Sequence, residues 1–327
     1  MMTTVLFLIL GLLLLVVGGE LLVRGAVRVA SRLGVSPLVI GLTLVGFGTS
    51  TPELVTSVQA ALSGSPGIAY GNIVGSNIAN ILLIVGASAI LCPIVVVSAA
   101  LKRDGLVMIA VAIAFAALAA VMPVGRIVGF CFLAALALYI YLAFRQERAA
   151  TSGHGAVYDK SIALQEADKA TVPEAAPEAP LLMSLLIALG GLALVVVGGY
   201  LLVNGAVALA RIFGISETVI GLTIVAVGTS MPEFVTSVMA AIKRQGDVAF
   251  GNIVGSNIYN ILGIGGITGA IAPSSVPPEI VSFDNLVMIV VSALLIGVAY
   301  TGLRIARWEG MVLLAGYAAY AYATWPA

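Results

Sequence analysis

Charge, histidine and cysteine are all scarce in this chain. Only 9% of its 327 residues are charged, against 61% hydrophobic, and there are one histidine and two cysteines. A soluble domain carries about 25% charged residues, so this chain could not cover a water-facing surface of its own. Fifteen Lys and Arg balance fifteen Asp and Glu, which leaves no net basic charge for a nucleic-acid partner. The histidine, His154, lies in a polar stretch, which argues against Ser-His or Cys-His catalysis and against imidazole metal sites. Cys92 and Cys131 lie in or beside apolar blocks, with neither metal-ligand spacing nor a disulfide framework. No catalytic residue and no cofactor are expected, and the reading is not of an enzyme.

Long apolar blocks are abundant instead. Breaks at Gly, Pro and charged clusters leave ten candidate helices at 4–31, 38–63, 69–91, 104–121, 125–144, 181–211, 218–242, 248–271, 284–300 and 305–324. About 20 residues cross the hydrocarbon core, so the expected fold class is an all-α polytopic membrane protein with ten transmembrane helices. The apolar N-terminus has no basic region ahead of it and is read as an uncleaved first span. With this helix count, thirteen of the fifteen Lys and Arg fall on the side opposite the N-terminus, leaving Arg126 and Arg211 on its own side. Cytoplasmic loops are the ones enriched in Lys and Arg, so both termini are expected outside. The polar linker 146–180, rich in Glu, Ala and Pro, is expected to be a flexible cytoplasmic connector between a first five-helix unit at 1–145 and a second at 181–327. The compartment is read as the cell's inner (plasma) membrane.

The two units repeat at an offset of 180. Gly18-Gly19 returns as Gly198-Gly199, Val39 to Thr43 as Val219 to Thr223, and Gly48-Thr49-Ser50 with Pro52-Glu53 as Gly228-Thr229-Ser230 with Pro232-Glu233. The segment from Gly71 to Ile78 is identical to that from Gly251 to Ile258, and Asp104 has its counterpart at Asp284. Five helices per unit make the second copy enter the membrane in the opposite sense. Inverted-topology repeats are a transporter device, with the binding site near the midplane where the copies meet.

Glu53 and Glu233 are the acids expected well inside spans, apart from Glu20. A carboxylate at membrane depth costs several kcal/mol unless partnered, and no Lys or Arg is expected at that depth, so a mobile cation is the expected partner. Thr49 and Ser50 precede Glu53 by four and three residues, as Thr229 and Ser230 precede Glu233, which would put their hydroxyls on the helix face of the same glutamate. Pro52 and Pro232 disturb the helix just there and should free backbone carbonyls. In the next helix Asn72, Ser76 and Asn80 form one polar stripe, repeated by Asn252, Ser256 and Asn260. Asn72 and Asn252 could be ligands or helix glue; Ser76, Asn80 and their copies are read as ligands. Gly71 and Gly75 should let another helix approach closely. This inventory of carboxylate, hydroxyl, amide and carbonyl oxygens suits hard cations, and two carboxylates balance one Ca²⁺ or two Na⁺. Glu20 precedes Arg24 by four residues and is expected to pair with it outside the site.

These doubled motifs, Gly41–Glu53 with Gly71–Asn80 and their copies from 221 and 251, resemble the two alpha repeats of the calcium/cation antiporter superfamily. The likeness is strongest to its prokaryotic sodium/calcium exchanger branch, YrbG-like proteins included, and covers the chain apart from the linker. It implies that Glu53 and Glu233 are the central ligands, with Thr49, Ser50, Thr229, Ser230, Ser76 and Ser256 adding oxygens. It also implies backbone carbonyls near Thr43, Gly46, Thr223 and Ala226 in the sodium sites, and sliding of the first and sixth helices across a fixed core. Well-studied exchangers often carry an aspartate at one position of the pair that here is Asn80 and Asn260, a difference of one potential negative charge. The expected function is antiport of Ca²⁺ against Na⁺ in a lipid bilayer, by a monomer. The alternative is a cation/H⁺ exchanger using the same carboxylates; a channel would need no counter-ion.

Overall fold

The structure is a computed structural model that describes residues 2–32, 48–96, 99–149, 180–242, 244 and 246–325. Helix α1 covers Met2–Arg32 and α2 Thr51–Leu62. Helix α3, Pro66–Ala79, continues through a π-helical segment at Asn80–Val85 into α4, Gly86–Leu91. Helices α5, Ala99–Val121, and α6, Arg126–Ala149, complete the first half. In the second half, α7 is Leu181–Phe213. Helix α8, Glu217–Ile220, passes through π-helical Gly221–Val225 into α9, Ala226–Thr229, and then α10, Met231–Ile242. Helix α11, Gly246–Ile258, runs through π-helical Tyr259–Gly265 into α12, Gly266–Ile271. A last π-helical turn, Ile280–Asp284, opens α13, Asn285–Gly302, and α14 is Arg307–Thr324. Each expected span thus meets helix, although for 38–63 the described part begins at residue 48, and most of the linker lies outside the described residues. Among the described residues, six helices are long and apolar enough to cross a membrane alone, and the bent pair Glu217–Thr229 with Met231–Ile242 makes a seventh candidate.

Burial separates a core from a lipid-facing shell. The continuous rods built on α3 and α11 are buried almost throughout, so they show no polar outer face. By contrast α1 and α7 expose Leu6, Leu13, Leu186 and Val196 and bury one narrow stripe each. That stripe is glycine at intervals of seven: Gly11, Gly18 and Gly25 on α1, and Gly191, Gly198 and Gly205 on α7. The two helices run antiparallel with backbones in contact. A Cβ on Gly11 would lie 2.6 Å from the Leu202 nitrogen, and one on Gly25 would lie 2.5 Å from the Ala188 nitrogen. The Glu20–Arg24 ion pair forms on α1 as its spacing implies. Glycines also seat α3 on the second half: a Cβ on Gly71 would lie 2.9 Å from the Leu222 nitrogen, and on Gly75, 2.5 Å from the Leu222 carbonyl oxygen.

Two short extended contacts show the pseudo-two-fold relation directly. Strand β1, Ile94–Val95, pairs antiparallel with β2, Arg304–Ile305, with Ile94 opposite Ile305. The same contact recurs as a bridge between Ser274 and Val124. Ser274 matches Ile94 at the offset of 180, but Ile305 matches Val124 at 181. One residue is therefore inserted before the last helix, and α14 repeats α6 in the shifted register. Gly129 packs on Gly266, and Gly310 packs on Gly86 in the same way.

The shifted register exposes a second matched feature. Asp104, in the second turn of α5, and Asp284, at the N-terminus of α13, are 1% and 2% exposed. The sequence placed them at span edges, and burial makes them interior acids alongside Glu53 and Glu233. Asp104 pairs with Arg103 at 3.1 Å and lies beside Tyr139. Asp284 accepts a 2.8 Å hydrogen bond from the Tyr320 hydroxyl, and Tyr320 matches Tyr139 at 181. Phe283 stands where the first copy has Arg103. Tyr320→Phe therefore removes a donor from a buried carboxyl and should cost about 1–3 kcal/mol. A thermal melt of the detergent-solubilised protein checks this, and an unchanged midpoint would sink it.

Candidate functional site

Both glutamates sit just past a helix break. Thr49 and Ser50 form a turn ahead of α2, and the second copy bends by 49° between Thr229 and Met231. Pro52 and Pro232 lie at the second positions of the new helices, where a missing N–H costs little. The break changes the expected partnership. On a continuous helix Ser50 would lie over its own Glu53; here its hydroxyl donates to Glu233 Oε1 at 2.9 Å, across the molecule. The Ser230 hydroxyl donates to Glu53 Oε1, also at 2.9 Å. Each repeat's serine thus holds the other repeat's glutamate, a reciprocal clasp that only a two-fold arrangement can make. Both carboxylates are 1% exposed.

The polar stripe closes over this pair. Asn72 Nδ2 donates to Ser57 Oγ at 2.9 Å and to the Glu53 carbonyl at 3.1 Å. Asn252 repeats both bonds, to Ser237 Oγ at 2.9 Å and the Glu233 carbonyl at 3.4 Å. These two asparagines tie each glutamate-bearing helix to the rod beside it, so they act as helix glue. The Ser256 hydroxyl reaches Glu233 Oε1 and the Ser76 hydroxyl reaches the Ala226 carbonyl, each at the long limit of 3.5 Å. Asn80 and Asn260 fall at the start of π-helical segments, a local widening common at functional sites. Their Oδ1 atoms are buried and take no hydrogen bond among the described residues. The Thr223 hydroxyl turns back to the Val219 carbonyl of its own helix at 2.6 Å. Thr43 and Gly46 lie outside the described residues.

The two halves differ in one ring of contacts. Thr229 Oγ1 donates to Asn72 Oδ1 at 2.9 Å, across the repeats. Its counterparts, Thr49 Oγ1 and Asn252 Oδ1, are both buried and take no partner among the described residues. Asn77 and Asn257 add to this ring, although their sequence positions do not mark them out. They belong to the identical octapeptide but sit one residue off the stripe. Asn80 Nδ2 donates to Asn257 Oδ1 at 2.9 Å, and Asn257 Nδ2 donates to the Asn77 carbonyl at 3.3 Å.

Among the described residues, no cluster of three or more His, Cys, Asp and Glu forms. A cation between the two carboxylates would therefore complete its shell with hydroxyl, amide and carbonyl oxygens. That donor set, buried and doubled about a pseudo-two-fold axis, defines a secondary cation antiporter of the inverted-repeat kind. Comparison with known proteins gives the family. The family model described as sodium/calcium exchanger protein matches residues 3–145 and 183–325. The sodium/calcium exchanger MaX1 of Methanosarcina acetivorans is 37% identical over 340 residues, covering 96% of both chains. The inner membrane protein YrbG of Escherichia coli K12 is 36% identical over 291 residues, 87% of this chain and 85% of its own. Structurally, the sodium–calcium exchanger NCX_Mj superposes with a TM-score of 0.61 at 32% identity over 97% of each chain. This chain belongs to the sodium/calcium exchanger family, in the prokaryotic branch of the calcium/cation antiporter superfamily.

Proposed function

We propose that this protein exchanges Na⁺ for Ca²⁺ across the inner (plasma) membrane by alternating access at the site between Glu53 and Glu233. The observation that carries the reading is the reciprocal clasp, in which Ser50 holds Glu233 and Ser230 holds Glu53. Two carboxylates supply a charge of −2, which one Ca²⁺ or two Na⁺ neutralises. Each loaded state is then free to cross the low-dielectric interior, while the empty, doubly charged state is held back. Thr49, Thr229, Ser76, Ser256, Asn80 and Asn260 supply neutral oxygens to whichever ion is bound, and the carbonyls of Thr43, Gly46, Thr223 and Ala226 complete the Na⁺ positions. The glycine contact between α1 and α7 is too close for one to slip past the other, which supports their movement as a unit across the core. We take residues 1–145 and 181–327 as the two five-helix units, the stretch 146–180 as a cytoplasmic connector, and both termini as outside. The protein is a transporter and acts as a monomer in this reading, with Ca²⁺ and Na⁺ as its substrates and no cofactor.

Radiolabelled Ca²⁺ uptake into proteoliposomes tests this directly. Vesicles loaded with Na⁺ and diluted into Na⁺-free buffer should accumulate Ca²⁺, and vesicles loaded with choline should not. Uptake that follows an imposed pH gradient without Na⁺ would assign the counter-ion to protons instead.

A further inference from the structure

We infer that Asn257 is a positioning residue of the ion site, which aims the side-chain oxygen of Asn80 at the transported cation; the inference rests on the exchange reading above. An amide side chain carries its donor and acceptor on opposite prongs, so fixing one prong fixes the other. Asn80 Nδ2 donates to Asn257 Oδ1 at 2.9 Å, and both residues are buried. Asn257 has no choice of which prong it offers. Its own Nδ2 donates to the Asn77 backbone carbonyl at 3.3 Å, and a carbonyl can only accept. The polarity of one backbone group thus passes through Asn257 to Asn80 and leaves Asn80 Oδ1 facing away from both. That oxygen is buried and takes no hydrogen bond among the described residues. It stands one helical turn from Ser76, whose hydroxyl lies against the Ala226 carbonyl, and that carbonyl also accepts from the N–H of Ser230, the serine that clasps Glu53. A buried acceptor held in one direction, with its donor prong already engaged, is a preformed cation ligand.

The second repeat lacks this hold. Asn77, the counterpart of Asn257, turns its Nδ2 to the Ile73 carbonyl of its own helix at 2.7 Å, and its Oδ1 takes no donor among the described residues. Asn260 is therefore not oriented by Asn77 as Asn80 is by Asn257. Two asparagines at matched positions of the repeats differ in preorganisation, and the cation should feel Asn80 more strongly.

The test is a double-mutant cycle in Na⁺-loaded proteoliposomes, reading the half-saturating Ca²⁺ concentration and the maximal rate for Asn257→Ala, Asn80→Ala and the double variant. Asn257→Ala should raise half-saturation about tenfold, equivalent to about 1.4 kcal/mol, with the maximal rate within about a factor of two. In the Asn80→Ala background it should add nothing, because it acts only through Asn80. Gel filtration and a thermal melt check that each variant is folded. Asn257→Ser, too short to reach Asn80, carries the same expectation should the alanine variant aggregate. Unchanged half-saturation, or single effects that multiply in the double variant, would overturn the inference while wild-type exchange still stands. Wild-type uptake that ignores internal Na⁺ would instead overturn the exchange reading, and this inference with it.

Discussion

Glu233→Gln is expected to abolish Na⁺-dependent Ca²⁺ uptake while leaving the protein folded. Glutamine keeps the oxygen that receives the Ser50 hydroxyl, so the clasp across the repeats survives. What is lost is the charge. A unit charge about 4 Å from a carboxylate gains about 4 kcal/mol at an effective dielectric of about 20, and a divalent ion gains twice that. If half remains after desolvation, Ca²⁺ still loses about 4 kcal/mol, roughly a thousandfold in affinity. The variant should melt no lower than wild type, because a buried carboxylate is expensive before the ion arrives. Glu53→Gln should behave alike, since Ser230 holds it in the same way. Uptake near the wild-type level in either folded variant would remove the carboxylates from the mechanism.

The second large effect separates two adjacent glycines. A Cβ on Gly191 would lie 2.3 Å from the Leu22 nitrogen and 2.7 Å from the Gly18 carbonyl oxygen. Those are backbone atoms of α1, which cannot swing aside as a side-chain tip would. A Cβ on Gly190 would meet nothing within 4 Å. Gly191→Leu should force the helices apart and cost about 3 kcal/mol or more, whereas Gly190→Leu should stay within about 0.5 kcal/mol. Fluorescence-detected gel filtration after graded heating compares the two. Equal midpoints would show that α1 and α7 do not pack through this stripe. Should Gly191→Leu survive in a milder host, its transport rate should fall further than its stability, because the pair could no longer move as one body.

Much of this was legible in the primary structure. Scarce charge and long apolar blocks dictate a membrane protein, because such a chain has too little polar surface to face water. The repeated octapeptide and the doubled Pro-Glu pair declare two copies of one unit. The oxygen-rich, imidazole-free inventory restricts the ligand to hard cations. These conclusions need only composition, order and counting, and none depends on which helix touches which.

Packing decided the rest. The spacing of Ser50 and Glu53 places them on one face only if the helix is unbroken. The turn at Thr49 and Ser50 cancels that relation and hands each serine to the glutamate of the other repeat. The inserted residue before α14 hid the match of Tyr139 with Tyr320, because an offset read from strong motifs is not corrected where the sequence is merely apolar. Asp104 and Asp284 looked like boundary residues, and only neighbouring helices could reveal that both are interior. Asn77 and Asn257 have the same sequence neighbourhood yet make different bonds. A local pattern fixes what lies three or four residues away along one helix. Partners about 180 positions apart, and the difference between two identical segments, exist only once the halves are packed together.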